Sequence, residues 1–282
     1  MHSVSSKEEL REHLREWRAA GDHIALIPTM GNLHAGHLSL IALAREHAEK
    51  VVVSIFVNPT QFGEGEDFDK YPQTLDRDKR RLLRAGVDLL FVPAVDTLYP
   101  FGLEDATSVT VPVLSREYCG EFRPGHFEGV SSVVTRLFGL VQPDVAVFGQ
   151  KDYQQQLIIR RMTADLSFPI RIVTGETVRE EDGLALSSRN QYLSEEERAI
   201  APGIFRVLQK IGDALQAGKR NYDELQDAAT DDLVSAGFAP EYVSVRRAEN
   251  LAEPDRDCDE LVVFVAARLG ETRLIDNIVV SV

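Results

Sequence analysis

Ile24-Ala25-Leu26-Ile27-Pro28-Thr29-Met30-Gly31-Asn32-Leu33-His34-Ala35-Gly36-His37-Leu38 is the stretch on which the fold turns. An apolar run, Ile24 to Ile27, meets a turn rich in glycine and histidine, and a helical pattern follows from Leu38 to about Ala48. A short apolar run bounded by turn residues suits a buried strand. A strand passing through such a turn into a helix start is where open α/β folds bind phosphates. Unpaired backbone N–H groups and the positive end of the helix dipole face the ligand there. Gly31 and Gly36 remove side chains that would hold a nucleotide away from the backbone. His34 and His37, three positions apart, can share one helix face and donate to the same phosphate. A lone loop histidine is ordinarily a surface residue; His-x-Gly-His at this junction points to a binding site.

Working outward, the first 175 residues alternate β-rich runs with amphipathic stretches. The spacing predicts strands at His23–Pro28, Val51–Val57, Asp88–Val92, Val145–Gly149 and Ile170–Thr174, with helices at Leu38–Ala48, Thr74–Ala85, Gly129–Val141 and Tyr153–Ala164. Apolar strands separated by helices predict a Rossmann-like, doubly wound, mostly parallel sheet. Ligands then bind beyond the carboxyl ends of the strands, so the loops after the first, second and fifth runs are expected to form one site. Composition shifts near Gly175–Asp182, and Ser194-Glu195-Glu196-Glu197 reads as a helix cap. Helical patterning runs to about Leu215 and again from Tyr222 to about Ser235, followed by β-like runs at Tyr242–Arg246, Leu261–Ala266 and Thr272–Ile278. The division expected is a Rossmann-like domain over 1–175 and a smaller α+β C-terminal domain over 176–282.

Composition narrows the partners. The chain has 282 residues and a net charge of −14. A protein that grips nucleic acid normally carries a basic face, so no nucleic-acid partner is expected. Small anionic ligands are compatible with the acidic background, since a few local cations and helix starts outweigh it. No apolar run approaches the roughly 20 residues of a membrane span, and the first residues have no apolar signal core. Cys119 and Cys258 form no Cys-x-x-Cys or zinc pattern, so a cytoplasmic location is expected.

Four further segments carry polar chemistry. Phe148-Gly149-Gln150-Lys151-Asp152-Tyr153-Gln154-Gln155 joins a strand end to a helix, placing the compact Lys151 charge beside a helix start. Asp182-Gly183-Leu184-Ala185-Leu186-Ser187-Ser188-Arg189-Asn190 follows a glycine turn with two hydroxyls and a guanidinium, all phosphate donors. Phe56-Val57-Asn58-Pro59-Thr60-Gln61-Phe62 offers Gln61, whose amide both donates and accepts and so suits a hydroxy acid. The polar stretch 63–71 behind it reads as a mobile flap. Arg123-Pro124-Gly125-His126-Phe127 is either a further contact segment or a plain Pro-Gly turn.

Taken in order with Arg273-Leu274-Ile275-Asp276-Asn277, these segments make the chain resemble, over essentially its whole length, the pantoate–β-alanine ligase (pantothenate synthetase) family of the His-x-Gly-His nucleotidyltransferases. The resemblance implies ATP-dependent condensation of pantoate with β-alanine through an enzyme-bound pantoyl adenylate, releasing AMP and pyrophosphate, with Mg²⁺ accompanying ATP. It implies that Met30, Gly31, Asn32, Leu33, His34, Ala35, Gly36 and His37 line the ATP site, with both histidines on the phosphates and His37 as proton donor. Gly149, Gln150, Lys151 and Asp152 would contact ATP, Lys151 through the phosphates; Val178 would meet the adenine or ribose side. Leu186, Ser187, Ser188 and Arg189, carried by the smaller domain, would close over the phosphates. Gln61 and Gln155 would hold pantoate, and Gln61 would also border β-alanine. His34, His37, Lys151 and Arg189 are the catalytic candidates, and a homodimer is implied. Gln150 stands where the family usually has Glu; with Lys151 and Asp152 retained, activity is expected to survive. Competing readings are transfer of AMP to a phosphate-bearing acceptor, a fragment of an aminoacyl-tRNA synthetase, and a nucleotide-binding regulator without chemistry.

Overall fold

The computed structural model describes residues 1–255 and 258–282. It divides into two compact units, Met1–Gly149 with Gln154–Glu176, and Gln150–Tyr153 with Thr177–Val282. The first carries β1 (His2–Val4), α1 (Lys7–Ala20), β2 (Ile24–Thr29), α2 (Ala35–Arg45), β3 (Lys50–Ile55), α3 (Leu75–Arg84), β4 (Leu89–Phe91), α4 (Val95–Leu98), α5 (Cys119–Phe122), α6 (His126–Val141), β5 (Val145–Gly149), α7 (Tyr153–Asp165) and β6 (Arg171–Gly175). The six strands form one sheet in the order β1-β4-β3-β2-β5-β6, with every pairing parallel. Strand order reverses between β2 and β5, so their carboxyl ends flank the position where such sheets bind ligands. The first and fourth of the expected runs therefore lie at the reversal, while the fifth is the edge strand β6. Ile27, Leu33, Ile41, Val53, Leu82 and Val147 are part of one core packed against this sheet.

The short helices α4 and α5 were not expected, nor were the two elements ahead of the first expected strand, β1 and α1. The strand is three residues long, and the helix buries only Leu10 and Leu14 among its fourteen residues, so apolar periodicity barely marks it. Its start is nevertheless written in the sequence, because Ser6 and Glu9 form a reciprocal capping box. Helix α2 also starts earlier than its apolar pattern suggests. His34 has extended backbone (φ −131, ψ −179) and is the N-cap, which makes His37 the third helical residue.

The second unit carries α8 (Glu195–Ile200), α9 (Gly203–Gln216), α10 (Tyr222–Ser235), β7 (Ala239–Arg247), β8 (Glu260–Leu269) and β9 (Thr272–Ser281). The three strands form an antiparallel sheet, ordered β7-β8-β9, and bury Val245 and Val263 with Leu208, Ile211, Leu215 and Leu233 of the helices. The single helix expected up to Leu215 is two, α8 and α9, separated at Ala201–Pro202. Proline has no N–H to continue a helical ladder and its ring crowds the preceding turn. The unit also claims Gln150–Tyr153, a departure from the expected division at 175/176. The reason is local: the Tyr153 hydroxyl donates to the Ala248 carbonyl (2.7 Å), and Asn277 on β9 donates to the Gln150 and Lys151 carbonyls. Among the described residues no helix is long and apolar enough to cross a membrane.

Candidate active site

In the first unit, the loop leaving β2 is held from beneath. The Thr29 hydroxyl donates to the Ser54 carbonyl (2.8 Å) and accepts the Gly31 N–H (3.2 Å). Gly31 (φ +82) and Asn32 (φ +49) then turn the chain through left-handed conformations. A Cβ on Gly31 would be strained there and would press on Ile55 and on Asp78 Oδ2 at 3.3 Å, so glycine is required. Asp78 of α3 is fully buried, and its carboxylate accepts the Asn32 and Leu33 N–H groups (both 2.9 Å) and the Thr74 hydroxyl (3.0 Å). Arg77 donates to the Asn32 side-chain oxygen and Arg81 to the Leu33 carbonyl. The Leu33 side chain lies in the core. Its amide and carbonyl already serve Asp78 and Arg81, so Leu33 fixes the loop's position.

The two histidines emerge from this clamped loop half-buried, with ring centroids 4.1 Å apart and planes inclined at 46°. The His34 N–H donates to His37 Nδ1 at 3.3 Å. With Nδ1 accepting, a neutral His37 ring carries its hydrogen on Nε2 and presents a donor there. Ala35 and Gly36 begin the helix, so their amides have no carbonyl one turn earlier to satisfy them. Two imidazoles and a helix start thus form a donor-rich corner suited to phosphate oxygens.

Gln61 is fixed to the same loop. Its amide donates to Met30 Sδ at 3.3 Å, and its oxygen accepts from Asn58 Nδ2 at 3.2 Å. Asn58, itself buried, also donates to the Gly129 carbonyl (3.1 Å) and accepts from the Tyr99 hydroxyl (2.8 Å). Helix α6 approaches at Gly129, where a Cβ would fall 2.3 Å from the Thr60 carbonyl oxygen. The Gln61 carbonyl accepts from His126 Nδ1 (2.8 Å), whose Nε2 accepts from Arg123 at 3.0 Å. Arg123 makes a bidentate pair with Glu66 of the flap, both bonds at 2.6 Å. Burial alone would raise the Glu66 carboxyl, but the Arg123 guanidinium prevails and holds it below the usual glutamate range. Phe62 meets Phe68 and Tyr71 edge-on, giving the flap a small aromatic base. Gln155 lies half-buried in the first turn of α7. Its neighbours spend their amides structurally, Gln154 on the Leu114 and Glu117 carbonyls and Gln156 on the Thr174 hydroxyl.

Gly149 ends β5 in the first unit, and the remaining expected residues belong to the second. Lys151 is mostly buried, with Nζ 3.8 Å from Asp152 Oδ1. Val178 and Leu186 are joined by a backbone bond (Leu186 N–H to Val178 carbonyl, 2.9 Å) at the base of a hairpin turned by Gly183 (φ +94). The hairpin delivers Ser187, whose hydroxyl accepts the Arg189 N–H (3.2 Å) and caps a turn over Ser188–Tyr192. Arg179 braces it from within, stacked 3.8 Å over Phe205 and paired with the buried Asp276 at 2.5 and 3.0 Å. Burial pushes the Asp276 carboxyl up, against the pull of Arg179, the Asn277 N–H and Lys151. Strand β9 packs against both the Gln150–Asp152 turn and the Ser188–Tyr192 turn.

A sequence profile described as pantoate-β-alanine ligase matches residues 2–279. The chain belongs to the pantoate–β-alanine ligase family. It is 54% identical to the pantothenate synthetase of Ectopseudomonas mendocina over 281 residues, covering 100% of this chain and 99% of that protein. The crystal structure of pantothenate synthetase from Thermus thermophilus superposes with a TM-score of 0.92 at 46% identity, over 99% of both chains. That of pantoate-β-alanine ligase from Francisella tularensis, complexed with β-γ ATP and β-alanine, gives 0.81 at 31% identity, over 99% of this chain and 97% of that one. This protein is accordingly an enzyme, a ligase that forms a carbon–nitrogen bond, and the Rossmann-like sheet with a smaller α+β unit is the family's fold.

Sequence reasoning passes over several residues that build the site. Asp78, Arg77 and Arg81 lie in a strongly charged helix, where a buried acid looks like any surface acid. Asn58 sits in a segment singled out for Gln61 alone. Asp276 and Asn277 fall within a recognisable segment but carry no role there; two polar residues among the apolar positions of β9 are the signal that could have marked them.

Proposed function

We propose that this enzyme condenses pantoate with β-alanine to pantothenate at the expense of ATP, through a pantoyl adenylate. The observation carrying the reading is the His34–His37 pair on the first turn of α2, in a chain of this family, with Gln61 bonded to the same loop. The Francisella relative, bound to an ATP species and β-alanine, supports two of the three substrates.

The pantoate carboxylate attacks the α-phosphate of ATP, forming the acyl–phosphate bond and expelling pyrophosphate. The neutral β-alanine amine then attacks the acyl carbon; the C–N bond forms and AMP leaves. Negative charge on the α-phosphate and pyrophosphate grows in the first step. The donors offered to it are His34, His37 through Nε2–H, the amides of Ala35 and Gly36, Lys151, Ser187, Ser188 and Arg189. Preorganised donors of this kind usually supply the largest part of such catalysis. Met30, Gly31, Asn32 and Leu33 hold the loop against the nucleotide, Gly149 to Asp152 supply the second phosphate turn, and Val178 and Leu186 flank the nucleoside. Gln61 and Gln155 bind pantoate, with Gln61 also beside β-alanine. Residues 63–71 exclude water from the adenylate, tethered by the Glu66–Arg123 pair.

Mg²⁺ enters as part of the substrate MgATP. No cluster of three or more His, Cys, Asp or Glu side chains able to hold a metal occurs among the described residues. Mg²⁺ commonly keeps several waters and is held by substrate phosphates, which suits this donor set. The further reading is of a cytoplasmic homodimer whose second unit closes over the ATP phosphates.

The test is product analysis with ATP, Mg²⁺ and pantoate, with and without β-alanine. Sustained AMP and pantothenate formation only when both organic substrates are present is the expected result. ADP as product, or AMP joined to a phosphate-bearing acceptor, would overturn the reading.

A further inference from the structure

The Asp276–Asn277 step of β9 is spent on two turns that the proposed mechanism uses. Asn277 is 2% exposed, and its whole side-chain amide is committed. Nδ2 donates to two consecutive carbonyls, Gln150 and Lys151, both at 2.9 Å, while Oδ1 accepts from Gln150 Nε2 at 3.4 Å. A short turn of three residues has few internal bonds of its own, so these contacts set where Lys151 starts and which way it leaves the backbone. One residue earlier, Asp276 makes its bidentate pair with Arg179, which also donates to the Gly183 carbonyl (3.1 Å) and the Asn277 carbonyl (3.3 Å). Arg179 belongs to the hairpin that leads into Ser187, Ser188 and Arg189. Both phosphate turns are therefore anchored to neighbouring residues of one strand.

We propose that Asn277 is a positioning residue for Lys151, and that the adjacent Asp276–Arg179 pair holds the Ser187–Arg189 turn in register with it. The inference rests on the reading of Lys151 as the cation that meets the ATP phosphates. Neither Asn277 nor Asp276 touches substrate in this account. A lysine on a four-carbon stem reaches its target only as reliably as its backbone is placed, and a displacement of about 1 Å at a reacting group can cost roughly 100-fold in rate. Alternatives for the pair are weaker. An Asn on a strand needs no such set of partners for the sheet, because the β8–β9 ladder uses backbone groups alone. A purely packing role would be served by an apolar residue of similar size.

The experiment is a double-mutant cycle on the full-length enzyme. Pantoate-dependent exchange of labelled pyrophosphate into ATP is measured for wild type, Asn277→Ala, Lys151→Ala and the double variant, with ATP affinity measured alongside by calorimetry. Asn277→Asp is included because it keeps the volume while replacing two donors with an acceptor. Melting temperatures show which variants are folded. Both Asn277 variants are expected to lose roughly 10- to 100-fold in kcat, the range for a misplaced catalytic group, with KM for pantoate within about twofold since Gln61 is unaltered. The double variant is expected to be no slower than Lys151→Ala. Losses that multiply, or a folded Asn277 variant that exchanges at the wild-type rate, would overturn the inference. A wild type that binds ATP but exchanges no pyrophosphate would sink the adenylation reading instead, and coupling of Asn277 to Lys151 in ATP affinity would then judge the inference. A wild type that binds no ATP would overturn both.

Discussion

His37 and Lys151 are the two side chains whose donors the proposed mechanism needs most. His37 is set by the N-terminal geometry of α2 and the His34 N–H. Lys151 is set by the turn that Asn277 holds. Replacing either with alanine is expected to slow pyrophosphate exchange by about 10²–10³-fold, the usual cost of one transition-state donor; exchange near the wild-type rate would remove that residue from the chemistry. Asp78 makes a different kind of contribution. Its carboxylate accepts two backbone N–H groups from the His loop, so Asp78→Asn would turn one acceptor into a donor facing a donor. The loss expected in urea denaturation is about 1–3 kcal/mol, the cost of leaving a buried group unsatisfied, together with weaker ATP binding measured by calorimetry. A variant as stable as wild type would show that the loop holds its shape without this clamp.

Among the elements, α6 and the flap control Gln61. Gly129 lets α6 lie against the Thr60 carbonyl, and alanine there would intrude to 2.3 Å. Alanine is normally worth about 1 kcal/mol over glycine inside a helix, whereas overpacking costs about 1–3 kcal/mol, so the clash wins. Gly129→Ala is expected to lower the melting temperature and raise KM for pantoate; a stabilised variant would contradict the packing described. For the flap, the sign of the pH effect follows from Glu66. Its carboxyl is held below the ordinary value of 4.5. The pairing with Arg123 therefore stabilises fully above that ordinary value, and its contribution fades as pH falls through the lower native value. The stability gap between wild type and Glu66→Gln is expected to be constant near neutrality and to close in acid. A gap that widened in acid would reverse the assignment. Much of this element level was readable in advance: the strands β2 to β9 and helices near α2, α3, α6, α7, α9 and α10 follow from apolar runs and caps, although the start of α2 was placed after His-x-Gly-His rather than within it. What escaped was held by other forces. β1 and α1 bury little, the α8–α9 break depends on one proline, and the clamps made by Asp78 and Asn277 are tertiary hydrogen bonds between residues far apart in sequence.

For the molecule as a whole, the candidate residues fall into two sets. One lies in the first unit, on the loops beyond β2 and β3, at the end of β5 and on the first turn of α7; the other lies on turns anchored to β9 in the second unit. The −14 charge does not oppose an anionic substrate, because each set supplies its own donors at short range. The central claim is the proposed one, that the pantoate carboxylate is the nucleophile toward the α-phosphate of ATP. Pantoate labelled with ¹⁸O in its carboxylate tests that claim most directly, with the AMP formed in the presence of β-alanine read by mass spectrometry. One ¹⁸O atom in the phosphate of AMP is the result predicted, since the carboxylate oxygen stays with phosphorus when the amine displaces it. AMP without label would contradict the claim, as would ADP accompanied by labelled inorganic phosphate.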